Sequence, residues 1–161
     1  MAVLPIRPTP FFAKKNQAFW NLQLAGWGGA TMLRVMSALA NGQPPDRLVI
    51  ILIATITGFS LSLILAVVYG KLIRQRPIVT WGATAMVLVL AVGIYAFIDS
   101  LVLDVAGAAS SNNSFATLLV VIYFFDLTPL GAWSARYYAI NFILQVEQPA
   151  DRTERLLAQQ T

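Results

Sequence analysis

The sequence predicts an all-α membrane protein, in which a bundle of four transmembrane helices is followed by a helical C-terminal extension in the cytoplasm. Hydrophobic residues make up 58% of the 161 residues and charged residues 11%, whereas ordinary soluble domains are about 25% charged. The mean hydropathy is +0.69. A helix needs about 20 apolar residues to cross a bilayer, and four runs reach that length. They are 19–40, 48–70, 78–106 and 115–136.

Basic residues give the predicted bundle its orientation. Nine of the eleven Lys and Arg residues precede the first run, lie between the second and third, or close and follow the fourth. The positive-inside rule assigns these segments, and therefore both termini, to the cytoplasm. The predicted domains are an N-terminal tail over 1–18, a transmembrane domain over 19–138 and a linker helix over 139–161. The net charge of +4 suits anionic lipid headgroups and requires no nucleic-acid partner.

The first run opens with aromatic residues, and others recur near the cytoplasmic ends of the third and fourth runs. Rings with a polar tip favour the headgroup level of a bilayer, so a belt at the membrane interface is the favoured interpretation. A cage around a ligand is the alternative. The residues concerned are Trp20, Trp27, Trp81, Trp133, Tyr137 and Tyr138.

The second run argues most strongly against a soluble bundle, because apart from its one tyrosine its only polar side chains are four serine and threonine hydroxyls. It also carries small residues at every fourth position, which share one helix face. In lipid, small residues let helices approach closely and gain dispersion energy. The face predicts packing against another helix of the same chain or, alternatively, against a second protomer. Its members are Ala54, Gly58, Ser62, Ala66 and Gly70.

Three charged residues lie away from the ends of the runs, where each costs about 2.5–3.5 kcal/mol on insertion scales. Arg34 and Asp99 are each roughly 10 Å below the predicted external surface, at 1.5 Å per residue, and we predict that they form an ion pair. Asp126 lies deeper, shortly before Pro129. Because proline lacks an N–H, a kink is expected there, with Asp126 and Thr128 forming a polar spot. One interpretation is that these charges are paired and fix the helix register. The alternative is a polar pocket or a proton-sensitive switch, for which Asp126 is the candidate carboxyl group.

The fourth run continues beyond the bilayer as an amphipathic helical pattern. We expect Pro149 to interrupt this helix and to begin another one near its first turn. The helix that begins at Pro149 would then continue to the end of the chain.

The stretch FWNLQLAGW at 19–27 resembles the FWxLQxxGW opening of the membrane region in LytS-type sensor histidine kinases. WSARYYAINF at 133–142 and RLLAQQ at 155–160 are similar to the aromatic pair and charged linker that close that region. The resemblance implies a dimeric input module of the bacterial cytoplasmic membrane, whose last helix transmits a rearrangement toward a kinase. The family's phosphoacceptor histidine and ATP-binding domain are not part of this sequence.

The chain contains no histidine and no cysteine, which excludes disulfides, thiolate metal sites and histidine ligands. With no nucleophile–base set or phosphate loop either, we expect no catalysis and no cofactor. A non-catalytic sensor or relay domain is the leading hypothesis. An accessory subunit of a larger membrane complex is the second. A small proton-coupled transporter using Asp126 ranks third, because the two halves show no similarity of the kind common in transporters.

Overall fold

The computed structural model describes residues 15–108, 112 and 114–160, and every regular element in this part of the chain is an α-helix. Most of the predicted tail over 1–18 lies outside the described residues, and its last four residues already belong to α1. The helices are α1 (Lys15–Ala40), α2 (Asp46–Leu72), α3 (Pro77–Val105) and α4 (Phe115–Gln160).

Three helices in the described part are long and apolar enough to cross a membrane. They are α2, α3 and the Phe115–Ile143 part of α4, which supports a membrane protein with at least these spans. α1 has 26 residues, which is sufficient length, but Asn21, Gln23 and Arg34 make it less apolar. The fourth membrane crossing therefore remains a prediction.

Glycine ends two of the helices. Gly42 follows α1 with a φ of 60°, and Gly107 follows α3 with a φ of 63°. After α3, the Gly107 N–H donates to the Asp104 carbonyl and the Ala108 N–H to the Leu103 carbonyl, both at 3.0 Å. This Schellman arrangement satisfies carbonyls at the helix end and needs a residue that tolerates positive φ.

The starts of α3 and α4 follow equally local rules. Pro77 occupies the first turn of α3, where its missing N–H costs nothing. Ser114 precedes α4, and its Oγ accepts a hydrogen bond from the Thr117 N–H at 3.3 Å, as an N-cap residue does.

The predicted interruption at Pro149 is wrong, because α4 is one helix of 46 residues that continues through this proline. A proline removes one backbone hydrogen bond and bends a helix, while the bonds of the adjoining turns can hold it together. The helix likewise passes through Pro129, where the kink remains a prediction.

The chain divides into two compact units at Phe59 and Ser60, within α2. In the first unit, the hydroxyls of Thr31 and Thr55 lie 2.9 Å apart and join α1 to α2. In the second unit, α3 and α4 pack closely against each other, and the last turns of α2 pack on α4. The candidate site lies entirely within this second unit.

Candidate functional site

Five aromatic side chains from three helices form one cluster around Tyr69. We call this set the aromatic cluster, and its members are Tyr69, Trp81, Trp133, Tyr137 and Tyr138. The Tyr69 side chain is fully buried, with its ring centroid 6.2 Å from Trp133, 5.7 Å from Tyr137 and 5.1 Å from Tyr138. The Trp81 centroid lies 5.8 Å from that of Tyr138. These separations fall within the range of favourable aromatic pairs.

Two hydroxyl groups of the aromatic cluster form hydrogen bonds between α2 and α4. The Tyr69 hydroxyl lies 2.9 Å from Ser134 Oγ. Since Ser134 Oγ donates to the Leu130 carbonyl at 2.8 Å, Tyr69 is the donor in the first bond. The Tyr137 hydroxyl donates to the Ala66 carbonyl at 3.2 Å. These bonds connect α2 to α4 at two levels.

The spacing of residues on α4 explains how one helix reaches two neighbours. Trp133 and Tyr137 are four residues apart, so their rings stack at 5.5 Å on one face. Tyr138 is rotated by a further 100°, and its hydroxyl lies 2.5 Å from Thr84 Oγ1 on α3. The adjacent tyrosines therefore bind different helices.

A cavity of about 740 Å³ lies beside the aromatic cluster, between α3 and α4 and next to the α2–α3 turn. Its wall is mainly apolar and includes hydroxyl groups from both helices. Ligand pockets commonly measure about 300–1,000 Å³ with such a lining. The wall residues used below are Gln75, Thr80, Thr84, Gly131, Ser134 and Tyr138.

The structure brings together four of the six aromatic residues singled out in the sequence. Trp20 and Trp27 belong to the other unit. Trp81 is 66% exposed, as a membrane-interface belt requires. Trp133 and Trp27, by contrast, are 5% and 6% exposed, so their assignment to a lipid-facing belt is wrong. The Trp133 ring packs on tyrosines inside the protein. The centre of the aromatic cluster, Tyr69, was missed because nothing in an apolar run distinguishes an inward tyrosine from an outward one.

The small-residue face of α2 is buried or half-buried at all five predicted positions. Within the second unit, the Ala66 carbonyl meets Tyr137 of α4. A Cβ added to Gly70 would lie 3.5 Å from the Tyr137 hydroxyl. Packing within the same chain, the favoured alternative, therefore describes these two positions.

Asp126 lies on the buried face of α4, at a multiple of four residues from Leu130 and Ser134, and is 2% exposed. Asp126 lies 12 residues before Tyr138 along α4, or about 18 Å. It is therefore further from the α2–α3 turn than the aromatic cluster.

The predicted polar spot does not form, because Thr128 is exposed and its Oγ1 donates to the Phe124 carbonyl at 3.4 Å. Residues two apart on a helix point in different directions, so Thr128 and the buried Asp126 are separated. Arg34 and Asp99 are both half-buried. They belong to different units, and their ion pair stays a prediction.

Two buried serines of the second unit provide a matched test of its polar contacts. Ser134 Oγ has two partners, whereas Ser100 Oγ has no hydrogen-bond partner among the described residues. We expect Ser134→Ala to lower the free energy of unfolding by about 1 kcal/mol and Ser100→Ala to raise it by up to about 1 kcal/mol. Unfolding in mixed micelles measures both values. Equal destabilisation by the two changes would contradict these assignments.

The described residues hold no group of three carboxylate, histidine or cysteine side chains placed to bind a metal ion. No protein-family model matches the chain, and the comparisons found no matching curated protein and no matching solved structure. The candidate site is therefore interpreted from its own geometry.

Proposed function

We propose that this chain is a non-catalytic sensing and relay module of a membrane, in which α4 passes a rearrangement of the aromatic cluster to the helical segment 144–160. In its full form the proposal includes four membrane crossings, both termini in the cytoplasm, and the bacterial cytoplasmic membrane. The module would act as a homodimer or with a partner membrane protein. This is the arrangement implied by the resemblance to LytS-type sensor kinases.

The observation that carries the proposal is the length and continuity of α4. At 1.5 Å per residue, its 46 residues extend over about 69 Å, more than twice the about 30 Å of a bilayer's hydrocarbon layer. One continuous helix thus carries Asp126, three members of the aromatic cluster and a segment too long to remain within the membrane. A tilt imposed at one point on such a rod is carried to its end.

The hydrogen bond between Tyr69 and Ser134 is the point at which the proposal can be tested. Leu156 lies 22 residues beyond Ser134, or about 33 Å along the helix. If α4 moved as a rigid rod from Ser134, a tilt of about 5° would displace Leu156 by about 3 Å. Tyr69→Phe keeps the ring and removes one of the two hydrogen bonds between α2 and α4, so α4 is less constrained in its angle against α2.

The chain's lack of cysteine permits clean double labelling. Spin labels at Ile78→Cys and Leu156→Cys, both exposed positions, report the distance from the start of α3 to the C-terminal segment. We expect Tyr69→Phe to shift this distance by about 3 Å, or to broaden its distribution correspondingly. The measurement is pulsed electron resonance on the full chain in lipid nanodiscs.

Tyr123→Phe is the matched control, because it removes the same atom from a long, exposed contact of 3.4 Å. It should leave the distribution unchanged. The relay would be refuted if Tyr69→Phe weakened the fold by the value of a hydrogen bond and yet left the distance unaltered. Co-purification with a fixed larger partner would instead favour the accessory-subunit hypothesis.

A further inference from the structure

The cavity between α3 and α4 has a wall whose hydroxyl groups already have partners inside the protein. Thr80 Oγ1 donates to the Leu72 carbonyl at 2.6 Å. Thr84 and Tyr138 are bonded to each other, and Ser134 is bonded to Tyr69 and Leu130. An occupant therefore finds mainly hydrocarbon and ring surface. A hydrocarbon chain suits such a wall, because it needs no hydrogen bonds of its own.

The end of the cavity at the α2–α3 turn has the opposite character. Gln75 of this turn lines the cavity, and its neighbours Arg74 and Arg76 are exposed. Arginine presents a fork of donors that fits phosphate oxygens. Basic pockets between transmembrane helices are typical sites for anionic lipid headgroups.

We propose that this cavity binds one anionic phospholipid, with an acyl chain between α3 and α4 and the phosphate at Arg74 and Arg76. Charge complementarity at the turn selects the headgroup, and the apolar wall accepts the chain. A neutral quinone fits less well, since its carbonyl groups would compete for hydroxyls that already have partners. Binding extends beyond the relay function, because it can be measured whether or not α4 transmits a signal.

Gly131 offers a way to block the cavity without disturbing the fold. It lies in the cavity wall within α4, and an added Cβ would meet nothing within 4 Å. Leucine is also a better helix former than glycine, so Gly131→Leu fills the cavity and favours the helix. Gly82→Leu is the matched control, since Gly82 is an exposed glycine of α3 with equally open surroundings and lies outside the cavity wall.

The experiment titrates the purified full chain in a non-ionic detergent with dioleoyl phosphatidylglycerol or dioleoyl phosphatidylcholine, and counts bound lipid by native mass spectrometry. The two lipids have identical acyl chains and differ in headgroup charge. We expect phosphatidylglycerol to bind about tenfold more tightly. Gly131→Leu should weaken its binding by at least about tenfold as the chain is excluded, while Gly82→Leu retains it.

The arginines are tested separately. The double change Arg74→Gln with Arg76→Gln should lower the affinity for phosphatidylglycerol to that for phosphatidylcholine, which itself should not change. Arg47→Gln, at the start of α2, is the control and should keep the preference.

Equal binding of the two lipids by the unmodified chain would overturn the proposal. So would undiminished binding by a folded Gly131→Leu variant, or displacement of phosphatidylglycerol by a neutral quinone at lower concentration. If Gly131→Leu proved unfolded by circular dichroism, the lipid comparison and the arginine variants would still decide the question. A shift in the distance between Ile78 and Leu156 tests the relay independently of all these results.

Discussion

Replacing Tyr69 by alanine should lower the free energy of unfolding by about 3 kcal/mol, at the low end of the range for aromatic-to-alanine changes in cores. The side chain is fully buried, contacts three rings and donates a hydrogen bond to Ser134. Its removal leaves a void among the rings that surround it. Because the separated helices would remain in lipid, the loss comes from packing rather than from transfer out of water.

Two companion variants divide this effect into its parts. Tyr69→Phe keeps the ring and should cost about 0.6–1 kcal/mol, the value of a hydrogen bond between membrane helices. Val67→Ala, on the same helix but 64% exposed, should change stability by less than about 0.5 kcal/mol. Unfolding in mixed micelles gives all three values. If Tyr69→Ala proved as mild as Val67→Ala, the aromatic cluster would not be a core of this fold.

The positions of the helices could be predicted well from the sequence, because lipid imposes a simple length requirement. The four apolar runs correspond to α1–α4, and the ends of α2 and α3 differ from the prediction by one or two residues. Gly42 and Gly107 mark helix ends by a local rule that needs no tertiary information. Pro149 was misjudged because proline weakens a helix locally, and whether the helix then ends depends on its neighbouring turns.

The candidate site was only half predictable. An aromatic residue near the end of an apolar run is equally compatible with the lipid headgroups and with the protein interior. In the structure Trp81 is exposed, whereas Trp133 is buried. The decisive information is rotation about the helix axis. In a run apolar on every side, periodicity does not define that rotation. Tyr69 therefore gave no signal, although it occupies the centre of the aromatic cluster.

The polar residues of α4 illustrate the same limit. Residue counts place Asp126 inside an apolar helix, and in the structure it lies within the Phe115–Ile143 part of α4. Grouping it with Thr128 failed because two residues correspond to about 200° of rotation. Which residues of α3 face those of α4, by contrast, depends on the register between the two helices. That register is known only from contacts such as the one between Thr84 and Tyr138.

Cysteines introduced on the exposed faces of α2 and α3 should be strongly protected from water-soluble thiol reagents. Ile64 of α2 and Val89 of α3 are 60% and 53% exposed at the protein surface. Around a soluble protein, cysteines placed there would react quickly. In a bilayer these positions face hydrocarbon, where a thiol neither ionises readily nor meets a charged reagent. We expect labelling at both positions to be slower than in the loops by about 100-fold or more.

Loop positions supply the matched controls. Gln43 in the α1–α2 connection and Gln75 in the α2–α3 turn are both exposed, and α2 alone separates them. Cysteines at these positions should react rapidly with a membrane-impermeant maleimide, each from a different face of the membrane. The cysteine-free background makes each signal specific to one position.

The most direct measurement is therefore maleimide labelling of these four single-cysteine variants in right-side-out and inside-out vesicles. A membrane-spanning α2 and α3 predict that Gln43→Cys and Gln75→Cys react in opposite vesicle preparations, while Ile64→Cys and Val89→Cys react only after detergent is added. Rapid labelling of Ile64→Cys or Val89→Cys in intact vesicles would contradict the account, as would labelling of both loop positions from the same face.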